Sequence, residues 1–347
     1  MTHPHWASLV EDSWNSALGG VLDRRGWAHL MVPLTGYGGR DFVRVLARVV
    51  HAPAPDADEP AATARAEQQA YRRGWRNFLT AEVPHQRVTV TLGEDEHEVA
   101  TDRSGQLDVR LPNPGWAPGW HEVRMRTPKS APARARILVV DESQPFGLVS
   151  DIDDTVLRTY LPRPMVAAYN TFVLPEHARR PVPGMAVLYQ EVLRAHPGAP
   201  TFYVSTGAWN TASTLERFLA THGYPRGPML LTDWGPTNTG WFRSGQEHKR
   251  ASLRGLAADF PGIRWLLVGD DGQHDPELYG EFAREHPGNV RAIAIRELGA
   301  GEQVLSHGTP VARAAQHRDS SPPEVPEVRG EDGAALARLL APLLDLR

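Results

Sequence analysis

An apolar, β-prone run from Phe146 to Val149 stops abruptly in Ser150-Asp151-Ile152-Asp153-Asp154-Thr155. A buried strand that delivers carboxylates at its carboxyl end is the usual place for a ligand site in an open α/β sheet. In an extended chain, alternation sets Asp151 and Asp153 on the same side, a few ångströms apart. Two like charges that close are unfavourable unless a cation or a shared proton compensates them. Mg²⁺, a hard ion that takes oxygen ligands, is the simplest compensation. An EF-hand loop is excluded, because its sixth position would need Gly where Val156 stands and its twelfth Glu where Pro162 stands. A solvated Asp-rich turn and a phosphoryl-transfer site with Asp151 as nucleophile both remain open from this stretch alone.

At 347 residues the chain is too long for a single core to be the natural expectation, and two domains are anticipated. A formal net charge of −4 argues against a protein that holds nucleic acid by overall charge. Cysteine is absent, so neither a disulfide framework nor a thiolate metal site is possible. The chain has no long uninterrupted apolar run, and its first residues lack the basic-then-apolar pattern of a secretory signal. The expected compartment is the cytoplasm, without a transmembrane segment.

Taken in order, residues 1–27 hold Trp6, Leu9, Val10, Trp14, Leu18, Val21 and Leu22 on a helical period. This predicts an amphipathic helix, whose polar face lacks the Lys/Arg excess of membrane-surface helices. From 28 to 143 strand signals dominate: Phe42–Val50, Arg87–Leu92, Val99, Gln106–Leu111, His121–Arg126 and Ala135–Val140. Alternation and intervening Gly/Pro/Asp clusters predict a small antiparallel β-sandwich. The Pro/Ala/Asp-rich stretch 52–70 reads as an inserted loop or helical excursion. From 144 to 299 strands alternate with helical segments, which predicts βαβ units and a doubly wound parallel sheet. Residues 300–347 read as a Pro/Ser/Glu-rich linker followed by a Leu-rich helix.

Within 144–299, four places at strand or helix ends carry polar groups that could share one crevice. They are Asp151/Asp153, the Ser205-Thr206-Gly207 segment after a β-run, Lys249 at the head of a helix, and Asp270/Asp271 with Asp275. Each has an ordinary structural meaning of its own: a capping hydroxyl for Ser205, a solvated side chain for Lys249. Their order and shared topological position are what single them out.

The second half resembles the haloacid-dehalogenase-like phosphatases, whose motifs run DxDxT, Ser/Thr at a strand end, Lys, then GDxxxxD. More narrowly, it is similar to the catalytic domain of the App1-type phosphatidate phosphatases, related to lipins. The residues that carry the resemblance are Ser150–Thr155, Tyr203–Asn210, Gly223–Pro228, His248-Lys249 and Gly269–Tyr279, within roughly 147–296. Where the family has Ser-x-Ser-Pro-Trp-Asn, this chain has Ser205-Thr206-Gly207-Ala208-Trp209-Asn210. The resemblance implies that Asp151 attacks phosphorus and that Asp153 serves as acid and base. It implies Mg²⁺ held by Asp151, the main-chain carbonyl of Asp153, and Asp270, with Asp271, Asp275 and Thr155 in support. Ser205, Thr206, Gly207 and Lys249 would take the phosphoryl group.

The resemblance implies a phosphatidate phosphatase, making diacylglycerol from a phospholipid at a membrane surface. The segment 158–183 is too short for a cap domain, so the site should lie open and accept a bulky or surface-presented substrate. Two other readings stand beside it: a phosphatase of soluble or protein phosphomonoesters, and a phosphatidate-binding module without turnover. The full set Asp151, Asp153, Ser205, Lys249 and Asp270 favours an enzyme.

Overall fold

A computed structural model describes residues 24, 26–52, 82–158, 180–232, 241–272, 274–299, 302 and 324–346. The helix expected over 1–27, the insertion 52–70 and most of the segment 158–183 therefore lie outside the described residues. The chain divides into two compact units, Met1–Val140 and Asp141–Arg347.

The first unit is one seven-stranded sheet: β1 (Ala28–Gly38), β2 (Phe42–Ala52), β3 (Arg87–Leu92), β4 (Asp95–Ala100), β5 (Gln106–Pro112), β6 (Gly119–Arg126) and β7 (Ala133–Val139). The strand order is β4-β3-β6-β7-β1-β2-β5. Neighbours are antiparallel, apart from β1 and β7, which run parallel over Gly36–Gly38. Inward residues recur with period two: Val43, Val45, Ala47 and Val49 on β2, and Val88, Val90 and Leu92 on β3. Three strands separate those two in the ladder, yet their side chains share one core. The sheet must therefore curl on itself, which corrects the two-layered sandwich expected from the sequence. One continuous barrel-like sheet buries the same alternating faces. Strand β1 was not singled out by pattern, since Pro33, Gly36 and Gly38 interrupt it. Pro33 is tolerated because β7 covers only Gly36–Gly38.

The second unit is α/β. Six strands lie in the order β12-β11-β8-β13-β14-β15, every pair parallel: β8 (Phe146–Ser150), β11 (Thr201–Ala208), β12 (Met229–Thr232), β13 (Arg264–Asp270), β14 (Val290–Arg296) and β15 (Glu327–Gly330). A two-stranded ribbon, β9 (Leu157–Arg158) with β10 (Arg180–Pro181), follows the first of them. The helices are α1 (Met185–Ala195), α2 (Ala212–Thr221), α3 (Trp241–Asp259), α4 (Asp275–Glu285) and α5 (Gly333–Leu344). From β8 the chain winds outward to β11 and β12, then returns across β8 to β13, β14 and β15. Right-handed crossovers place α1 and α2 on one face and α3 and α4 on the other. The packing of α5 on α1 and of α3 on α4 agrees. Reversal of winding at β8 opens a crevice beyond its carboxyl end, between β11 and β13. Strand β15 falls in the stretch expected as linker. With one apolar residue in Glu327-Val328-Arg329-Gly330, it has no periodic signal and is ordered by its pairing with β14.

Candidate active site

All five residues of β8 are buried, and Asp151 continues the ladder with its N–H donating to the Val268 carbonyl at 2.9 Å. Regular strand ends at Ser150. The N–H groups of Val156 and Leu157 both donate to the Ile152 carbonyl, and Asp154 adopts the left-handed conformation with φ 57°. This turn sends the three acids in different directions. The Ser150 hydroxyl donates to the Asp151 carbonyl at 2.6 Å. Its only proton thus committed, it accepts from the buried Tyr189 hydroxyl, also at 2.6 Å.

Asp151 is 1% exposed. Its Oδ1 meets Lys249 Nζ at 2.7 Å, and the same ammonium meets Asp275 Oδ1 at 2.6 Å. Lys249 is itself buried, which excludes the ordinary solvated lysine weighed beside its site role, and it stands inside α3 and not at the helix head expected from the sequence. One oxygen each of Asp151, Asp270 and Asp275 falls within 4.8 Å of the other two. Asp270 is ordered by the Gly272 N–H on Oδ1 at 2.7 Å and by the Thr155 hydroxyl on Oδ2 at 3.3 Å. Asp151 Oδ2, by contrast, is buried without a hydrogen-bond partner.

Burial is the largest influence on Asp151 and raises its carboxyl well above the usual range. Lys249 opposes that rise, and Asp275 and Asp153 add to it. Asp270 is raised by burial and then by Asp275 and Asp151. Burial alone would depress the Lys249 ammonium, but Asp151 and Asp275 outweigh it and hold the ammonium charged. Asp151 and Asp275 share one ammonium with Asp270 beside them, and the cluster is short of positive charge.

Asp153 points elsewhere. The Ser205 hydroxyl donates to Asp153 Oδ2 at 3.1 Å and accepts from the Gly207 N–H at 2.9 Å. Thr206 and Gly207 present carbonyls that both accept from the Thr232 hydroxyl, at 2.9 and 3.1 Å, which fixes the loop after β11. The carboxylate of Asp153 is thus apart from the Asp151/Asp270/Asp275 triad, and Asp275 stands inside it. Asp271 faces away: its Oδ1 accepts from the Leu298 N–H at 2.8 Å, so it ties down the chain leaving β14. The sequence reading passed over Tyr189, which looks like any core residue of α1, and Arg296, an ion at the end of an apolar strand.

Residues 146–297 match the family model described as "Phosphatidate phosphatase APP1, catalytic domain". A phosphatidate phosphatase APP1 of Saccharomyces cerevisiae is 28% identical over 152 residues, 44% of this chain and 26% of that protein. An uncharacterized protein of Schizosaccharomyces pombe is 24% identical over 186 residues, 53% of this chain and 29% of the other. The chain spans little more than a quarter of the length of these relatives. The solved structure of a carbohydrate acetylesterase from Xanthomonas citri aligns over 80% of this chain and 73% of its own, at 12% identity and a TM-score of 0.28. That likeness carries no argument.

Proposed function

We propose that this chain, in which residues 146–297 are an App1-type catalytic domain, is a phosphatase that hydrolyses a phosphomonoester, with phosphatidate as substrate and diacylglycerol as product. On this reading the α/β unit is a haloacid-dehalogenase-like domain. The observation that carries the proposal is the division of labour between two neighbouring acids. Asp151 is buried with one oxygen gripped by Lys249 and the other unpartnered, whereas Asp153 shares a hydrogen bond with the Ser205 hydroxyl.

In the first step an oxygen of Asp151 attacks phosphorus and the bond to the leaving oxygen breaks, while Asp153 gives that oxygen its proton. In the second step water attacks the aspartyl-phosphate and yields a proton to Asp153, and Asp151 is regenerated as phosphate departs. Ser205 would turn its hydroxyl from Asp153 to a phosphoryl oxygen, with the Gly207 N–H released to do the same, and Lys249 would lower the charge on both partners.

The residues fit a hard divalent cation. Three buried carboxylates cluster around one ammonium that pairs with only two of them, and an orphan oxygen on Asp151 lacks a donor. Mg²⁺ there would be held by Asp151, Asp270 and the main-chain carbonyl of Asp153, beside Asp275 of the same triad and with Thr155 in support through Asp270, and would offset the charge of the phosphate. Among the described residues no helix is long and apolar enough to cross a membrane. As a separate part of the proposal, the protein is cytoplasmic and meets a phospholipid substrate at a bilayer surface.

Phosphate release decides the matter, measured with and without Mg²⁺ on dioleoyl phosphatidate in mixed micelles and on a soluble aryl phosphate. Mg²⁺-dependent release from the lipid is expected, with Asp151→Asn slower by about 10⁴-fold or more. Turnover of the soluble ester alone would keep the chemistry and reject the lipid. Binding of phosphatidate without turnover of either ester would make the domain a sensor.

A further inference from the structure

We infer that Arg296, held by Glu302, is the residue that positions the acid Asp153; the inference rests on the phosphatase reading above. Arg296 ends β14 and is 1% exposed, although it takes no part in the carboxylate cluster. Its Nη1 donates to the main-chain carbonyl of Asp154 at 2.6 Å. Its Nη2 donates to both oxygens of Glu302 at 2.8 Å, and its Nε reaches the Glu331 carbonyl at 3.4 Å. Glu302 also accepts from the Gly299 N–H at 2.9 Å and forms an ion pair with Arg158, whose Nε lies 3.2 Å from Oε1.

The turn that carries Asp153 is thereby fastened at two points, the carbonyl of Asp154 and the side chain of Arg158 on β9. Asp154 is the residue whose left-handed backbone reverses the chain. Non-glycine residues adopt that conformation rarely, so something outside the turn has to hold it. A guanidinium fork fixes a carbonyl and a carboxylate in one plane, which a lysine ammonium does not. Its consequence falls on Asp153, the residue before the reversal. With Asp154 pinned, the Asp153 carboxylate is aimed at the Ser205 hydroxyl. With it released, Asp153 can swing out of reach of the leaving oxygen, while Asp151 stays fixed by its own ladder bond to Val268 and by Lys249. Arg296 touches neither of the site's reacting groups and acts through the backbone.

A leaving-group comparison on the full chain tests this. An aryl phosphate expels a stabilised phenolate and needs little proton donation, whereas the alkyl ester of phosphatidate needs it. Arg296→Lys and Glu302→Gln are each expected to lower kcat on phosphatidate by about 10–100-fold, the cost of misplacing a catalytic group by about an ångström. KM and turnover of 4-nitrophenyl phosphate should hardly change. Asp153→Asn supplies the reference signature, and both variants should fall on its side of the alkyl-to-aryl ratio. Circular dichroism and thermal unfolding confirm the fold. Glu302 is partly exposed at the edge of the node, so its variant remains informative should Arg296→Lys fail to fold. Equal losses on both esters, or no loss on either, would overturn the inference. An unaltered chain inactive on both esters would instead sink the phosphatase reading.

Discussion

The two units of this chain dispose of their charges in opposite ways. On the curled sheet, exposed pairs reach diagonally between neighbouring strands (Arg134 with Glu122, Arg87 with Glu98, Arg44 with Asp108) or across an intervening one (Arg126 with Glu96). In the α/β unit, Asp151, Asp270, Asp275, Lys249 and Arg296 are almost wholly buried at the carboxyl ends of β8, β13 and β14 and on the helices behind them. Strand geometry explains much of the contrast. An antiparallel sheet with one wet face can carry a charge at every second residue. A parallel sheet covered on both faces has room for ions only where strands stop, and stopping strands at a reversal of winding converge on one crevice. The same geometry that spreads charge over the first unit gathers it at one crevice in the second.

Lys249→Met presses hardest on that contrast. It leaves Asp151 and Asp275 facing each other without their shared cation, at a cost expected to be about 3–5 kcal/mol. Urea unfolding in the presence of a chelator would read it, with activity lost in parallel. A cost below about 1 kcal/mol, the size of a surface pair, would mean that the cluster is not the strained ionic centre described here.

Overpacking gives a paired test of intermediate size. A Cβ on Gly269 would lie 2.5 Å from Asp275 Oδ2 and 2.8 Å from Tyr279 Cε2, displacing the carboxylate that Lys249 holds. A Cβ on Gly36 would lie 2.6 Å from Ile137 Cδ1 and closer still to the Arg44 carbonyl. Each Gly→Ala change should cost about 1–3 kcal/mol. Only Gly269→Ala should also slow phosphate release. If Gly36→Ala slows it equally, the β unit is coupled to catalysis, and the division between frame and site fails.

Much of the site could be read before any coordinates, because acids that end apolar runs announce themselves. Asp151, Asp270 and Lys249 come together, although Lys249 does so from the middle of α3 and not from the helix head that the sequence suggested. What stayed hidden depends on closure and on turns. Alternation told which residues of β2 and β3 face inward but not that the two strands share one core, so a sandwich and a curled sheet looked alike. Extended geometry set Asp151 and Asp153 side by side, whereas the reversal at Asp154 gives them separate partners. Asp275 was assigned a supporting role, yet its oxygen stands within the triad, since α4 begins right after β13 and folds it back. Strand β15 and the Arg296–Glu302 node had no local signal, because both are defined by partners distant in sequence.

The smallest effect belongs to Arg134→Ala, and its smallness is the point. Arg134 and Glu122 are 69% and 51% exposed, with Nη1 and Oε1 3.1 Å apart, so water competes for both ends. Such a pair contributes about 0.2–1 kcal/mol, and less as salt screens it. Arg134 also lies directly across the ladder from Arg124, and like charges opposite one another on a sheet repel by an amount of the same order. Losing the attraction and the repulsion together should leave stability within about 0.5 kcal/mol of the parent, the usual range for surface substitutions. Phosphate release should be unaffected. Guanidinium would screen both terms, so urea titrations at low and high NaCl are the proper measurement. A loss above about 1 kcal/mol that disappears in salt would show that the outer ladder is held by net attraction, contrary to the cancellation between Glu122 and Arg124.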